Sequence, residues 1–141
     1  MKVLRARPLK DANLQLETGN LNRETTAVRW KKITIVGVGL LGGSLGLAIR
    51  QRRLANKVVG FVRRAASVSE CRRAKAADEV TQDLQGAVKG ADLVILCTPI
   101  TQMRPRVKDM LSALEPGAIV TDVGSVKASV VRELESLIAR T

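Results

Sequence analysis

Ile33-Thr34-Ile35-Val36-Gly37-Val38-Gly39-Leu40-Leu41-Gly42 is the stretch on which the fold turns. Its first four residues are all β-branched, which suits a strand, and Gly37 stops the run. Beyond it, Leu41, Leu45, Ala48 and Ile49 fall at helical spacing as far as Arg53. The order is strand, glycine turn, helix. Within the turn each glycine of the GxGxxG pattern has a physical task. Gly37 permits the tight turn, Gly39 lets the backbone approach a pyrophosphate without a Cβ in the way, and Gly42 lets helix and strand pack closely. The helix start then offers free N–H groups and a partial positive charge to phosphates. Gly37, Gly39, Leu40, Leu41 and Gly42 are therefore candidate cofactor contacts. The plainer alternative is that the glycines serve packing alone.

The same alternation continues outward from this stretch. Val58 to Val62 is a second β-branched run, followed by a basic helix-like segment from about Ser67 to Ala77 and a faint strand near Glu79-Val80. Leu93 to Cys97 is continuously apolar, as expected of a parallel strand buried on both faces. Met103, Val107, Met110, Leu111 and Leu114 mark one face of a helix that Glu115-Pro116-Gly117 ends. A strand over Ala118 to Thr121 follows, then a last helix with the stripe Val126, Val130, Leu134, Leu137 and Ile138. Strands alternating with helices predict an α/β fold: a Rossmann-type doubly wound parallel sheet with right-handed crossovers, incomplete, with five strands present and a sixth expected. On this reading residues 31–141 are a truncated dinucleotide-binding domain. Residues 1–30, with a Gly19-Asn20 turn signal and no 7–15-residue apolar run, are expected to be a loosely ordered extension rather than a secretory signal. A transit peptide is the alternative for that extension.

Composition narrows the chemistry. The chain has 141 residues, 45% hydrophobic and 26% charged, the profile of one globular domain. Trp30 and Phe61 are the only aromatics, so base-stacking nucleic-acid recognition is disfavoured. There is no histidine, which removes imidazole bases and His-ligated metals. Cys71 and Cys97 lack CxxC spacing, so no metal site and no disulfide framework are indicated, and a reduced, cytoplasmic protein is expected. Cys97, ending an apolar strand, reads as a small buried hydrophobe, and Cys71 as a surface residue. The uncharged run from Ile33 to Ile49 resembles a short membrane span, but five of its 17 residues are glycine and its first part is strand-like. No membrane association is expected.

Net charge is +11, and most of the excess lies between Arg50 and Lys75, where nine basic residues face the single acid Glu70. That distribution bears on the cofactor. An NAD site expects Asp or Glu about 20 residues past the glycine turn, at the end of the second strand, to hold the ribose hydroxyls. No acid occurs between Gly43 and Ser69. The strand ends Gly60-Phe61-Val62-Arg63-Arg64, with Val62 at the acid's place. Arginine offers paired donors to phosphate, and loss of the carboxylate removes a like-charge repulsion, so the pattern predicts NADP, with NAD as the alternative. Ser67 joins Arg63 and Arg64 in this candidate set. A merely solvated basic loop is the competing reading.

At this point the sequence resembles the N-terminal cofactor domain of the prephenate and arogenate dehydrogenases. Three stretches carry the likeness: Ile35 to Leu45, Leu96-Cys97-Thr98-Pro99-Ile100, and Thr121-Asp122-Val123-Gly124-Ser125-Val126-Lys127. The resemblance spans about Lys32 to Leu137. It implies an oxidative decarboxylation in tyrosine biosynthesis, with hydride passing to the nicotinamide as the substrate ring aromatises. It also implies that Cys97, Thr98 and Pro99 border the nicotinamide ribose, and that Ser125 stands beside the reaction centre and helps position a histidine. The plain alternative for Ser125 is an N-cap of the last helix. The family's histidine and its helical second domain, which supplies a substrate-binding arginine and the dimer interface, have no counterpart here. The chain alone is thus expected to bind cofactor but to turn over prephenate or arogenate poorly, with a homodimer expected only for a longer form. Three alternatives remain: another small Rossmann reductase, a stand-alone nucleotide-binding module, and a nucleic-acid binder using the basic segment, the last disfavoured.

Overall fold

The computed structural model describes residues 4–5 and 30–125, together with Leu134 and Leu137. The elements in chain order are β1 (Leu4–Arg5), β2 (Trp30–Val36), α1 (Leu40–Gln51), β3 (Ala55–Phe61), α2 (Ala65–Arg73), β4 (Glu79–Thr81), α3 (Leu84–Val88), β5 (Leu93–Leu96), α4 (Ile100–Met110) with a 3-10 turn over Leu111–Ala113, and β6 (Ile119–Asp122). They build one sheet in the order β1-β6-β5-β2-β3-β4. All pairings but one are parallel. Counting only the parallel strands, the order is 3-2-1-4-5, the doubly wound Rossmann arrangement without its sixth strand. At that outer edge lies β1, antiparallel, with Leu4 opposite Val120 and Arg5 opposite Ile119. Sequence reading assigned no element there.

Period-two alternation sorts the strand residues between two layers of helices. Ile33 and Ile35 of β2, Val58 of β3 and Ile95 of β5 pack with Ile49 of α1 and Cys71 of α2. Val36, Val59, Phe61, Val94, Leu96 and Val120 point the other way, onto α3, α4 and Leu134. Because both faces are covered, these strands are apolar throughout rather than alternating. The one fully buried polar residue of the described core, Thr34, donates its hydroxyl to the Ala87 carbonyl at 2.7 Å.

Two aspartates tie the amino-terminal ends of the strands. Asp92 accepts the Lys31 and Lys32 N–H groups on Oδ2, at 2.5 and 3.1 Å, while its own carbonyl accepts the Ile119 N–H. Asp78 accepts the Val58 N–H at 2.7 Å and pairs with Arg50 at 2.8 Å. With these ends fixed, the opposite, carboxyl ends carry the loops.

Helix α4 begins three residues before the expected Met103 and contains Pro105. Of the expected last helix, Leu134 and Leu137 are helical and packed on the core; Val126, Val130 and Ile138 lie outside the described residues. The run from Ile33 to Ile49 is strand, turn and helix. Among the described residues no helix is long and apolar enough to cross a membrane.

Candidate functional site

Backbone hydrogen bonds step the carboxyl ends of the strands together. The Gly37 N–H donates to Phe61 O at 3.0 Å, the Cys97 N–H to Val36 O at 2.8 Å and the Val123 N–H to Leu96 O at 3.2 Å. The loops after β2, β3, β5 and β6 therefore emerge side by side. All the candidate residues of the sequence stand on these loops or on the first turns of α1 and α2.

The glycine turn has the shape its sequence implies. Gly37 adopts φ +98°, and a Cβ on it would stand 2.8 Å from Thr98 Cγ2 and 3.0 Å from Cys97 O, so both conformation and space require glycine. A Cβ on Gly42 would overlap the Gly37 carbonyl oxygen. In front of Gly39 there is nothing within 4 Å of such a Cβ. The turn is closed behind and open ahead.

Helix α1 starts at this opening with Gly39 as N-cap, no side-chain cap and no acid in its first turn. The helical ladder begins with the Gly43 N–H donating to Gly39 O at 2.7 Å, so the amides of Leu40, Leu41 and Gly42 precede it and have no acceptor within the helix. The Leu40 and Leu41 side chains are exposed. Next to Gly37, the buried Thr98 hydroxyl oxygen has no hydrogen-bond partner among the described residues. Open space, orphan amides and a first helical turn without an acid fit a pyrophosphate group. Among the described residues a cavity of about 470 Å³ lies away from this turn, and one of about 330 Å³ runs along the sheet from Trp30, Leu93 and Ile119 to Thr121, Asp122 and Val123 at the end of β6.

At the end of β3, Val62 is buried on the α1 and α2 face, whereas Arg63 and Arg64 are exposed. Neither arginine belongs to an ion pair among the described residues. Arg64 is the N-cap of α2, and its carbonyl accepts the N–H of the half-buried Ser67 at 3.1 Å. The structure thus brings Arg63, Arg64 and Ser67 together where β3 passes into the first turn of α2. It also adds Gln82, whose side-chain amide donates to Arg63 O at 2.8 Å. Sequence reading missed Gln82 because no local pattern marks it; only the pairing of β3 with β4, Phe61 opposite Thr81, brings it there.

Cys97 is half-buried behind the glycine turn, and burial pushes its thiol up to about 11. It is protonated at neutral pH, a packing residue and not a nucleophile. Cys71 corrects an expectation: it is buried, with its Sγ 3.6 Å from Val38 O, because α2 turns that face toward β3 and β4. Pro99 is exposed and caps α4. Ser125 is exposed beyond β6, after a turn in which the Gly124 N–H donates to Asp122 Oδ1 at 2.7 Å. Whether Ser125 caps a helix falls on residues outside those described.

Residues 45–141 match the family described as prephenate dehydrogenase, nucleotide-binding domain. A cyclohexadienyl dehydrogenase of Zymomonas mobilis is 37% identical over 107 residues, covering 75% of this chain and 36% of that protein. The solved arogenate dehydrogenase of Synechocystis superposes with a TM-score of 0.70 at 35% identity, covering 75% of this chain and 37% of that one. A prephenate dehydrogenase from Aquifex aeolicus, solved with hydroxyphenyl propionate and NAD+, gives 0.70 at 31% identity, covering 77% and 38%. The chain therefore spans little more than a third of the length of these relatives. It belongs, through a nucleotide-binding Rossmann domain, to the prephenate dehydrogenase family.

Proposed function

We propose that the chain is the cofactor-binding portion of an NADP-preferring prephenate or arogenate dehydrogenase acting in the cytoplasm. The observation that carries the cofactor preference is the end of β3, where Val62 turns inward at the place of the ribose-binding acid and two guanidinium groups without an ion-pair partner among the described residues follow it. A 2′-phosphate placed there would meet Arg63 and Arg64, with Ser67 behind them. The Aquifex aeolicus relative was solved with NAD+, so selectivity is the point on which this chain is expected to differ.

In this reading the amides of Leu40, Leu41 and Gly42 hold the pyrophosphate across the open face of Gly39. Cys97, Thr98 and Pro99 border the nicotinamide ribose, and the unpartnered Thr98 hydroxyl supplies a donor there. Ser125 orients the substrate hydroxyl region. When bound, the nicotinamide accepts the hydride released as the substrate ring loses carbon dioxide and aromatises. A substrate domain and a histidine in a longer homodimeric form would complete the site. The 141-residue chain, without histidine, is expected to bind cofactor without sustained turnover.

The test is a calorimetric titration of the 141-residue chain with NADP+ and, separately, NAD+ at moderate salt. Tighter NADP+ binding supports the reading. Equal affinities would leave a dinucleotide site without the proposed preference, and binding of neither by a chain that is folded by circular dichroism would overturn the nucleotide assignment.

A further inference from the structure

Between β3 and α2 the backbone is fastened at three successive residues, and only two fastenings have an ordinary structural explanation. Val62 is held by its buried side chain and by its N–H, which donates to Thr81 O at 3.0 Å. Arg64 is held as the N-cap of α2 through the bond from the Ser67 N–H to its carbonyl. Arg63 lies between them with an exposed side chain. Its carbonyl is fixed by the Gln82 side chain, 19 residues on, in a bond that is itself exposed and so does little for burial or packing.

We propose that Gln82 is a positioning residue for cofactor selectivity, acting by orienting the peptide group between Arg63 and Arg64; this rests on the 2′-phosphate reading above. The Arg63 carbonyl and the Arg64 N–H share one plane. Fixing that plane fixes ψ of Arg63 and φ of Arg64, and with them the directions in which both side chains leave the backbone. Bidentate contact between guanidinium and phosphate is demanding in geometry, with useful placement on the order of 0.5 Å and 10–20°. A long side chain magnifies any rotation at its root. Gln82 is neutral, so it changes the aim of the two arginines and not the field they make. Its influence should be felt by a ligand that carries the 2′-phosphate and not by one that lacks it.

The experiment compares NADP+ and NAD+ binding to the full 141-residue chain in four forms: unaltered, Gln82→Met, Arg63→Ala with Arg64→Ala, and all three together. Methionine keeps the length of glutamine and removes the donor. Gln82→Met is expected to weaken NADP+ about three- to tenfold, the size of one hydrogen bond, and to leave NAD+ within about twofold. On the background without the arginines it should cost nothing further, because the groups it aims are gone. Equal loss for both cofactors, no loss for NADP+, or the same cost with and without the arginines would each overturn the role of Gln82. The arginine variant tests the underlying reading separately. If it leaves the ratio of NADP+ to NAD+ affinity unchanged, the 2′-phosphate assignment falls whatever Gln82→Met does.

Discussion

On the proposed reading Val62 takes the place of the ribose-binding acid and Arg63 and Arg64 follow it, so a single loop is expected to set which dinucleotide is held. Replacing both with alanine should weaken NADP+ by about 2 kcal/mol, the scale of a charged hydrogen bond, with NAD+ nearly unchanged, as read by calorimetry. Cys97 gives a second prediction at this scale. Its thiol ordinarily titrates near 9 and is raised to about 11 by burial, so the native state keeps the proton through a window in which the unfolded chain has lost it. Its contribution to stability is complete below pH 9 and is lost as pH rises toward 11. Denaturant titrations across that window should show a shallower decline in Cys97→Ala than in the unaltered chain. The glycine turn was legible at this scale because sterics dictate it locally. Gln82 was not, since its partner is made by strand pairing and no spacing along the chain announces it. The burial of Cys71 is masked in the sequence by its charged neighbours Glu70, Arg72 and Arg73, among which a short amphipathic helix can bury one residue.

Among the elements, β2, β3, β5 and β6 were readable from β-branched or uninterrupted apolar runs, which double-sided burial demands. The strand β4 was faint because it has three residues, one of them buried. Helix α3 went unread: five residues with Gly86 among them are too few for a 3.6-residue period to declare itself. Helix α4 starts earlier than its apolar stripe suggests because its first three residues, Ile100 to Gln102, bury no side chain and so leave no apolar mark. The link from β2 to β5 yields a prediction at this scale. Asp92 serves two backbone amides and through its own carbonyl a third strand, so Asp92→Ala should destabilise by about 1–3 kcal/mol, seen as a lower urea midpoint with unchanged slope. Asp92→Asn, which keeps an acceptor oxygen, should lose less.

For the whole molecule, the charge excess that composition announced resolves into place. Its Arg50–Lys75 stretch runs from the end of α1 through β3 to just past α2, and includes the Arg63–Arg64 loop. Mobile ions screen such a field over about 10 Å at 0.1 M salt. Raising salt should therefore reduce NADP+ affinity more than NAD+ affinity, by a margin that shrinks in the variant without Arg63 and Arg64; paired titrations at low and high sodium chloride measure it.

The antiparallel β1 has a consequence for traffic at the rim of the sheet. A row of strand donors and acceptors can serve one tenant at a time, and on the outer side of β6 that tenant is Leu4–Arg5, running against the direction that a sixth doubly wound strand would take. Any such strand could be seated only by evicting the first. With two paired residues the sitting tenant is easily displaced, and an empty rim invites a stranger. Deleting residues 1–5 should therefore raise concentration-dependent self-association, visible by light scattering, while leaving dinucleotide affinity at the far end of the strands as it was.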